Sequence, residues 1–286
     1  MRQGFRWGFL GLLLLGTLVS AEQRTFQFRG LMFGDYYWIA NHHLNDLKRF
    51  NGFWIRRIYL TVDHTPAPQI SLRFRLEMAH PGKLNPSRNG FLSGKAVPFV
   101  KDAYLKWTLP FARLYLGIAP TPTFAFIEQL WAYRPVEKTP LDLQRWGSTR
   151  DLGIAVQGSV PGVPLKFHAM IGNGKGVASD DNLGKKYMLA VGHYPETGWV
   201  VEVYGDYNDL RGRNADWYTV QLVLGYRQSR SWIGLQLARQ VRQNPSGPDV
   251  TLEMVSAFSA WEISPKKKLF LRFDRLFDSS VAGYTI

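Results

Sequence analysis

Gln69-Ile-Ser-Leu-Arg-Phe-Arg-Leu-Glu-Met78 carries an apolar side chain at every even position and a polar or charged one at every odd position. Successive side chains of an extended chain point to opposite sides, so this alternation specifies a strand with two chemically opposed faces. The stretch leaves open which face meets which solvent. In a packed pair of sheets the apolar face would be inside; in a membrane-spanning sheet it would meet lipid while the charges met water.

The same period recurs along the chain. Thr25 to Ala40 puts Phe26, Phe28, Met32, Tyr36 and Trp38 against Gln27, Arg29 and Asp35, and Phe53 to Asp63 puts Ile58, Leu60 and Val62 against Arg57, Tyr59, Thr61 and Asp63. Ala103, Leu105 and Trp107 oppose Asp102, Tyr104 and Lys106; Leu114, Leu116 and Ile118 oppose Arg113 and Tyr115. Further stretches begin near Arg150, Leu165, Lys186, Trp199, Trp217 and Trp232, and two more cover Thr251–Ile263 and Leu269–Phe277. The expectation is about thirteen strands in an all-β chain. Arg56 falls in the apolar register of its stretch, which a bulge or snorkelling would have to relieve. In the twelfth stretch Phe258 and Glu262 share a face.

The connections decide between the two solvents. Tight turns are expected at His64–Pro68, Leu109–Phe111, Pro161–Pro164, Pro195–Gly198, Ser229–Ser231 and Ser264–Lys266. They alternate with longer connections near 41–51, 80–97, 119–149, 172–185, 208–216 and 242–250. Short turns on one rim and long loops on the other describe an up-and-down antiparallel barrel in a bacterial outer membrane. Aromatics mark the margins: Trp199 and Tyr207 bracket Val201 and Val203, and Tyr218 and Tyr226 bracket Val220, Leu222 and Leu224. Eight residues at about 3.3 Å each, tilted by about 40°, span about 20 Å, close to the apolar band between aromatic girdles. Ile70, Leu72, Phe74, Leu76 and Met78 are therefore assigned to lipid, and Arg73, Arg75 and Glu77 to an aqueous lumen.

The N-terminus agrees with export. Arg2 and Arg6 precede the apolar run Phe9–Val19, and Val-Ser-Ala ends at Ala21, so residues 1–21 read as a secretory signal peptide and 22–286 as the barrel. The run is too short for a helical span. The chain holds no cysteine, which excludes a lipid-anchored lipoprotein, disulfides and thiolate metal sites. Loss of Arg2 and Arg6 lowers the formal charge from +13 to +11. With a pI near 9.9 and mean hydropathy −0.18, such a charge could serve nucleic acid, but export points to anions or anionic head groups, so no nucleic-acid partner is expected.

Phe53-Trp-Ile-Arg-Arg-Ile-Tyr-Leu-Thr-Val62, Ser71-Leu-Arg-Phe-Arg-Leu76, Val100-Lys-Asp-Ala-Tyr-Leu105, Arg150-Asp-Leu-Gly153, Asn173-Gly174 and Leu269-Phe-Leu-Arg-Phe-Asp-Arg275 occur in an order that resembles the phosphate-selective porin family (porin O and P) of bacterial outer membranes. The resemblance implies a sixteen-stranded barrel, a homotrimer, and a third long loop folded inward to narrow the pore; the longest connection, 120–149, stands where that loop belongs. Thirteen is an odd number, and the chain ends Val-Ala-Gly-Tyr-Thr-Ile286 without a terminal aromatic strand end, so about three C-terminal strands are expected to be missing.

The expected lumen lining comprises Arg29, Arg57, Arg73, Arg75, Glu77, Lys106, Arg113 and Lys166, and the inward loop adds Glu128, Arg134, Asp142, Arg145 and Arg150. A cationic excess concentrates anions in a narrow water-filled space, and arginine forks suit phosphate and carboxylate. Oxyanion preference is expected to rest on Arg73, Arg75, Arg113 and the loop. The loop's mixed signs imply either a field across the pore or salt bridges that fix it, and Phe124, Phe126, Leu130 and Trp131 are expected to pin it. Gly172-Asn-Gly-Lys-Gly176 lacks the following helix of a phosphate-cradling loop, and the dispersed histidines assemble neither a metal site nor a Ser-His-carboxylate triad. No catalysis and no cofactor are expected. The alternative reading is a secreted soluble β-sandwich that binds polyanions.

Overall fold

The computed structural model describes residues 26–41, 45, 48–78, 97–131, 137–211 and 215–281. The signal-peptide segment, His42, His43 and Arg134 lie outside the described residues. Thirteen strands form one sheet: β1 (Phe26–Trp38), β2 (Asn51–Ala67), β3 (Ile70–Met78), β4 (Phe99–Thr108), β5 (Ala112–Pro120), β6 (Arg150–Ser159), β7 (Leu165–Gly172), β8 (Lys186–His193), β9 (Gly198–Asn208), β10 (Trp217–Arg227), β11 (Ser231–Arg242), β12 (Val250–Ser264) and β13 (Lys267–Leu276). Each strand pairs antiparallel with the one before it, in unbroken chain order. Among the described residues β1 and β13 are paired on one side only, so the sheet is open between them. Three short helices, α1 (Pro122–Ala125), α2 (Ile127–Trp131) and α3 (Pro140–Leu143), lie in the longest connection.

Tight turns occupy one rim, as between β5's partner β4 and β5 at 109–111, and the long connections occupy the other. The first tight turn is only Pro68 and Gln69; His64 belongs to β2, where its ring stacks on Phe26 with centroids 4.0 Å apart. The expectation of a turn at His64–Pro68 is corrected accordingly: Pro66 is absorbed by a register shift between His64 and Ala67, where a missing N–H is tolerated.

The two faces of the sheet differ as the alternation requires. Leu72, Phe74, Leu189, Val203, Val220 and Ile233 are exposed, and no second sheet covers them among the described residues. This excludes the β-sandwich. At the loop rim Tyr187, Tyr207 and Tyr218 stack in a row at 6.4 and 5.1 Å, and at the turn rim Trp199 meets Tyr226 edge-on at 5.2 Å. Arg239 and Glu253, paired across β11 and β12, put charge on this face three residues from the loop-side strand ends, where it is tolerated best.

The opposite, inner face is covered over half its extent. On β9 to β12 its residues Val200, Val223, Ala238, Leu252, Met254 and Phe258 form one buried cluster with Phe124, Ile127, Leu130, Leu141 and Trp146 of the 121–149 connection. Among the described residues the inner face of β1 to β4 carries no such cover and stays mostly half-exposed. Phe258 is thus a packing residue, while Glu262, on the same face, sits at the turn end beside Lys268.

Two bulges handle the charges that break the period. Phe33 pairs with Arg57 and Gly34 with Ile55, which leaves Arg56 as the extra residue of β2. Its Nε reaches Asp35 at 2.8 Å and its guanidinium lies 5.3 Å from the Trp54 ring centroid. Between β3 and β4 the pairing skips Lys101 in the same way. A bulge inserts one residue and re-aims its side chain without shifting the rest of the strand.

Gly117 has φ +122°, and a Cβ there would lie 2.2 Å from the Ala103 carbonyl oxygen of β4. Gly117→Val should therefore prevent formation of the compact, heat-modifiable band on SDS gels, whereas Gly205→Ala, where the nearest atom is 3.9 Å away, should leave that band intact.

Candidate functional site

The uncovered inner wall carries a repeating electrostatic unit in which one acid is shared by two cations. Asp63 on β2 stands opposite Arg73 on β3, whose Nε and Nη2 donate to its carboxylate at 2.7 and 3.1 Å; Arg29 on β1 grips the same carboxylate. Glu77 on β3 pairs with Arg57 at 2.9 Å and with the bulged Lys101 at 3.0 Å. Asp102 on β4 faces Arg75 at 3.0 Å and also binds Arg150 at the start of β6. Six cations thus share three acids, and each unit retains one positive charge.

Register explains the arrangement. Directly opposed and diagonal positions of antiparallel strands bring side chains on one face within reach, so charges spaced by two along β1 to β4 must meet. Aromatic rings fill the intervals. Arg57 and Arg75 flank the Tyr59 ring at 5.0 and 4.8 Å, and Arg73 lies 5.8 Å from the Tyr104 centroid. Asp102 and Glu77 are nearly enclosed by their cations, while Arg29 is over half exposed and projects furthest into solvent.

The connection 121–149 faces this wall from the far side. Its neck is closed by Thr121, whose hydroxyl donates to the Ser148 carbonyl at 2.6 Å. Thr123 donates to the Tyr204 hydroxyl at 2.7 Å, Gln240 Nε2 to the Trp146 carbonyl at 2.8 Å, and Arg272 to the Lys138 carbonyl at 2.6 Å. Together with the apolar cluster, these bonds fix the segment. Phe124, Phe126 and Leu130 are buried in this contact. Glu128 on α2 is an electrostatic neighbour of Arg150, so the segment does present negative charge toward the basic wall.

Of the residues singled out in the sequence, Arg29, Arg57, Arg73, Arg75, Glu77 and Arg150 come together in the three units. Lys106, Arg113 and Lys166 lie on the same face nearer the turn rim; Arg113 and Arg73 are the charged neighbours of Lys106. Asp142 and Arg145 do not join them. Asp142 sits in α3, and Arg145, with φ 56°, turns the chain out of that helix.

Several polar residues of the inner face escaped notice. Lys101 did so because only the bulge turns it inward. On the covered half, Gln221 donates to Glu202 at 2.9 Å, Gln236 to Gln221 at 2.7 Å, and Gln240 to Thr219 at 2.8 Å. Their signal was present: they occupy the positions between the outward residues of β9 to β11. At the turn rim, burial and then the Glu202 carboxylate push the Tyr194 phenol well above its ordinary pKa, so it remains a donor to Glu202. In the 173–185 connection the Gly174 amide donates to Asp151 at 2.7 Å, with Gly174 and Gly176 at positive φ; the glycines of Gly172–Gly176 serve a turn. Among the described residues no three His, Asp or Glu side chains converge as a metal site.

No protein-family model matches the sequence, and no curated protein does. Solved structures do resemble it. An anion-selective porin from Comamonas acidovorans is similar over 90% of this chain and 80% of its own, with TM-score 0.65 and 13% identity. OmpT expressed in the outer membrane of Vibrio cholerae is similar over 92% and 79%, with TM-score 0.59 and 11% identity. A loop L8 deletion mutant of the same outer membrane protein gives 89%, 82%, 0.56 and 13%. At these identities the likeness is one of fold: a strand meander of the outer-membrane β-barrel type.

Breaking a buried pair by neutralising one partner costs about 3 to 5 kcal/mol. Asp102→Asn, which strands Arg75 and Arg150 together, should lower the thermal unfolding midpoint in detergent micelles markedly. Glu253→Gln on the exposed face should leave it almost unchanged.

Proposed function

We propose that the chain forms a passive pore in a bacterial outer membrane through which small anionic solutes diffuse, with no chemical step and no cofactor. The observation that carries this reading is the three shared-acid units on the wall of β1 to β4, which set six cations against three acids, opposite a segment that occupies the other half of the inner face. A wall that keeps net positive charge after all its local pairing raises anion concentration beside it and repels cations. The likeness to an anion-selective porin supports the fold of such a pore. Outer-membrane lipid on the aliphatic and aromatic face, and assembly as a homotrimer, belong to the same proposal.

A finer preference for oxyanions such as phosphate would depend on guanidinium edges left free by the acids. Arg73 spends its fork on Asp63, whereas Arg29 is more exposed and Arg113 makes no ion pair among the described residues.

The test is the reversal potential of single channels in a potassium chloride gradient. The wild-type value should have the sign of anion preference. Arg73→Gln removes one cation and should move it toward zero; Asp63→Asn removes the shared acid and should move it further in the anion direction. Identical values for all three would remove the wall from the account.

A further inference from the structure

Below the shared-acid units, toward the turn rim, the inner face changes character. Lys106, Arg113 and Lys166 form no ion pair among the described residues. Two of these cations, Arg113 on β5 and Lys166 on β7, line a recess of about 320 Å³ between the wall and the underside of the inward segment. The strand between them, β6, supplies Gln157. Arg113 stands directly opposite Gln157, and Lys166 is one diagonal away, opposite Ser159. Tyr115 donates to Gln157 Oε1 at 3.4 Å, which leaves the amide N–H groups of Gln157 available to the recess. Gln129 of α2 closes it from above.

The recess therefore presents a guanidinium, an ammonium and two amides, with no carboxylate in its lining among the described residues. Lys166 lies 5.5 Å from the Tyr194 ring centroid, and Glu202 beyond that ring accepts from Tyr194 and Gln221. Thr108 and Ser159 add hydroxyls, and Leu109, Pro110 and Phe111 supply an apolar side. Phe126 packs down between Tyr194 at 5.3 Å and His168 at 6.2 Å, and Phe111 in the turn is exposed beside it. Inorganic anions would satisfy the donors and leave the exposed Phe111 ring in contact with water. A carboxylate on a small apolar body would use both.

We infer that this recess binds small organic monocarboxylates, aromatic ones above all, entering from the turn-side mouth. Charge-assisted donors hold the carboxylate, and the exposed Phe111 ring covers the hydrocarbon. The inference rests on the reading of the inner face as a water-filled pore.

Benzoate, acetate and inorganic phosphate, each added to the turn side of the protein reconstituted in planar bilayers, separate the cases. Benzoate should interrupt the chloride current at lower concentration than either of the others. Arg113→Gln combined with Lys166→Gln should weaken that block by about tenfold or more, the loss expected for charge-assisted hydrogen bonds. Phe111→Ala should weaken benzoate while leaving the weak phosphate effect unchanged. Calorimetric titration of benzoate into the detergent-solubilised full chain gives a second readout for any variant that fails to insert. Equal potency of benzoate and acetate, or stronger block by phosphate, overturns the assignment. An anionic reversal potential without benzoate block sinks the recess alone, whereas a cationic reversal potential sinks the pore reading beneath it.

Discussion

A strand whose alternate side chains meet hydrocarbon and water has a single workable register. A slip of one residue would put every charge in lipid and every aliphatic group in water, and an arginine at the bilayer midplane costs about 2 to 4 kcal/mol. The hydrogen-bond ladder adds a second demand, since backbone groups at that depth have no solvent to pair with. The meander of β1 to β13 meets both demands at once: each backbone pairs with its neighbour in chain order, and the exposed face from Leu72 to Ile233 is aliphatic or aromatic. Where the sequence places a charge off period, at Arg56 and Lys101, the ladder yields by one residue instead of putting the charge on the apolar face.

The division of the inner face follows from the longest connection. Packing of Leu141, Trp146 and Phe124 against Val200, Val223, Leu252 and Phe258 occupies one half. That half is accordingly apolar or satisfied by neutral amide bonds, as in the Gln236, Gln221 and Glu202 chain. The other half faces water and can hold charge. Sharing of Asp63, Glu77 and Asp102 between two cations each keeps the wall ordered without neutralising it, because each acid fixes two long side chains and cancels only one of their charges. The exposed Arg29 pair contributes little to stability, whereas the enclosed units around Glu77 and Asp102 both stabilise the wall and hold its residual positive charge in place.

Much of this was legible in advance. Period-two alternation located the strands within a few residues, and the alternation of short and long connections chose one up-and-down sheet over a sandwich. The inner-face arginines could be read from β1 to β4 because their outward neighbours are unambiguous. What was not legible depends on contacts distant in sequence. Arg150 joins Asp102 across 48 positions, and no local pattern announces it. Lys101 looks outward until the bulge is known. The turn at Pro68 and Gln69 was displaced because two prolines near His64 mimic a longer loop. The recess of Arg113 and Lys166 needs α2 above it, which only the folded connection provides.

The solvent assignment at the third strand is the claim everything else rests on, and the absence of native cysteine allows it to be measured cleanly. Leu72→Cys and Arg73→Cys, each carrying a bimane label in reconstituted membranes, differ by one residue and should differ in environment. The account predicts quenching of the label at position 72 by brominated acyl chains, and quenching of the label at position 73 by a water-soluble iodide salt. The reverse pattern, or iodide access to both positions with no acyl-chain quenching at either, would contradict it.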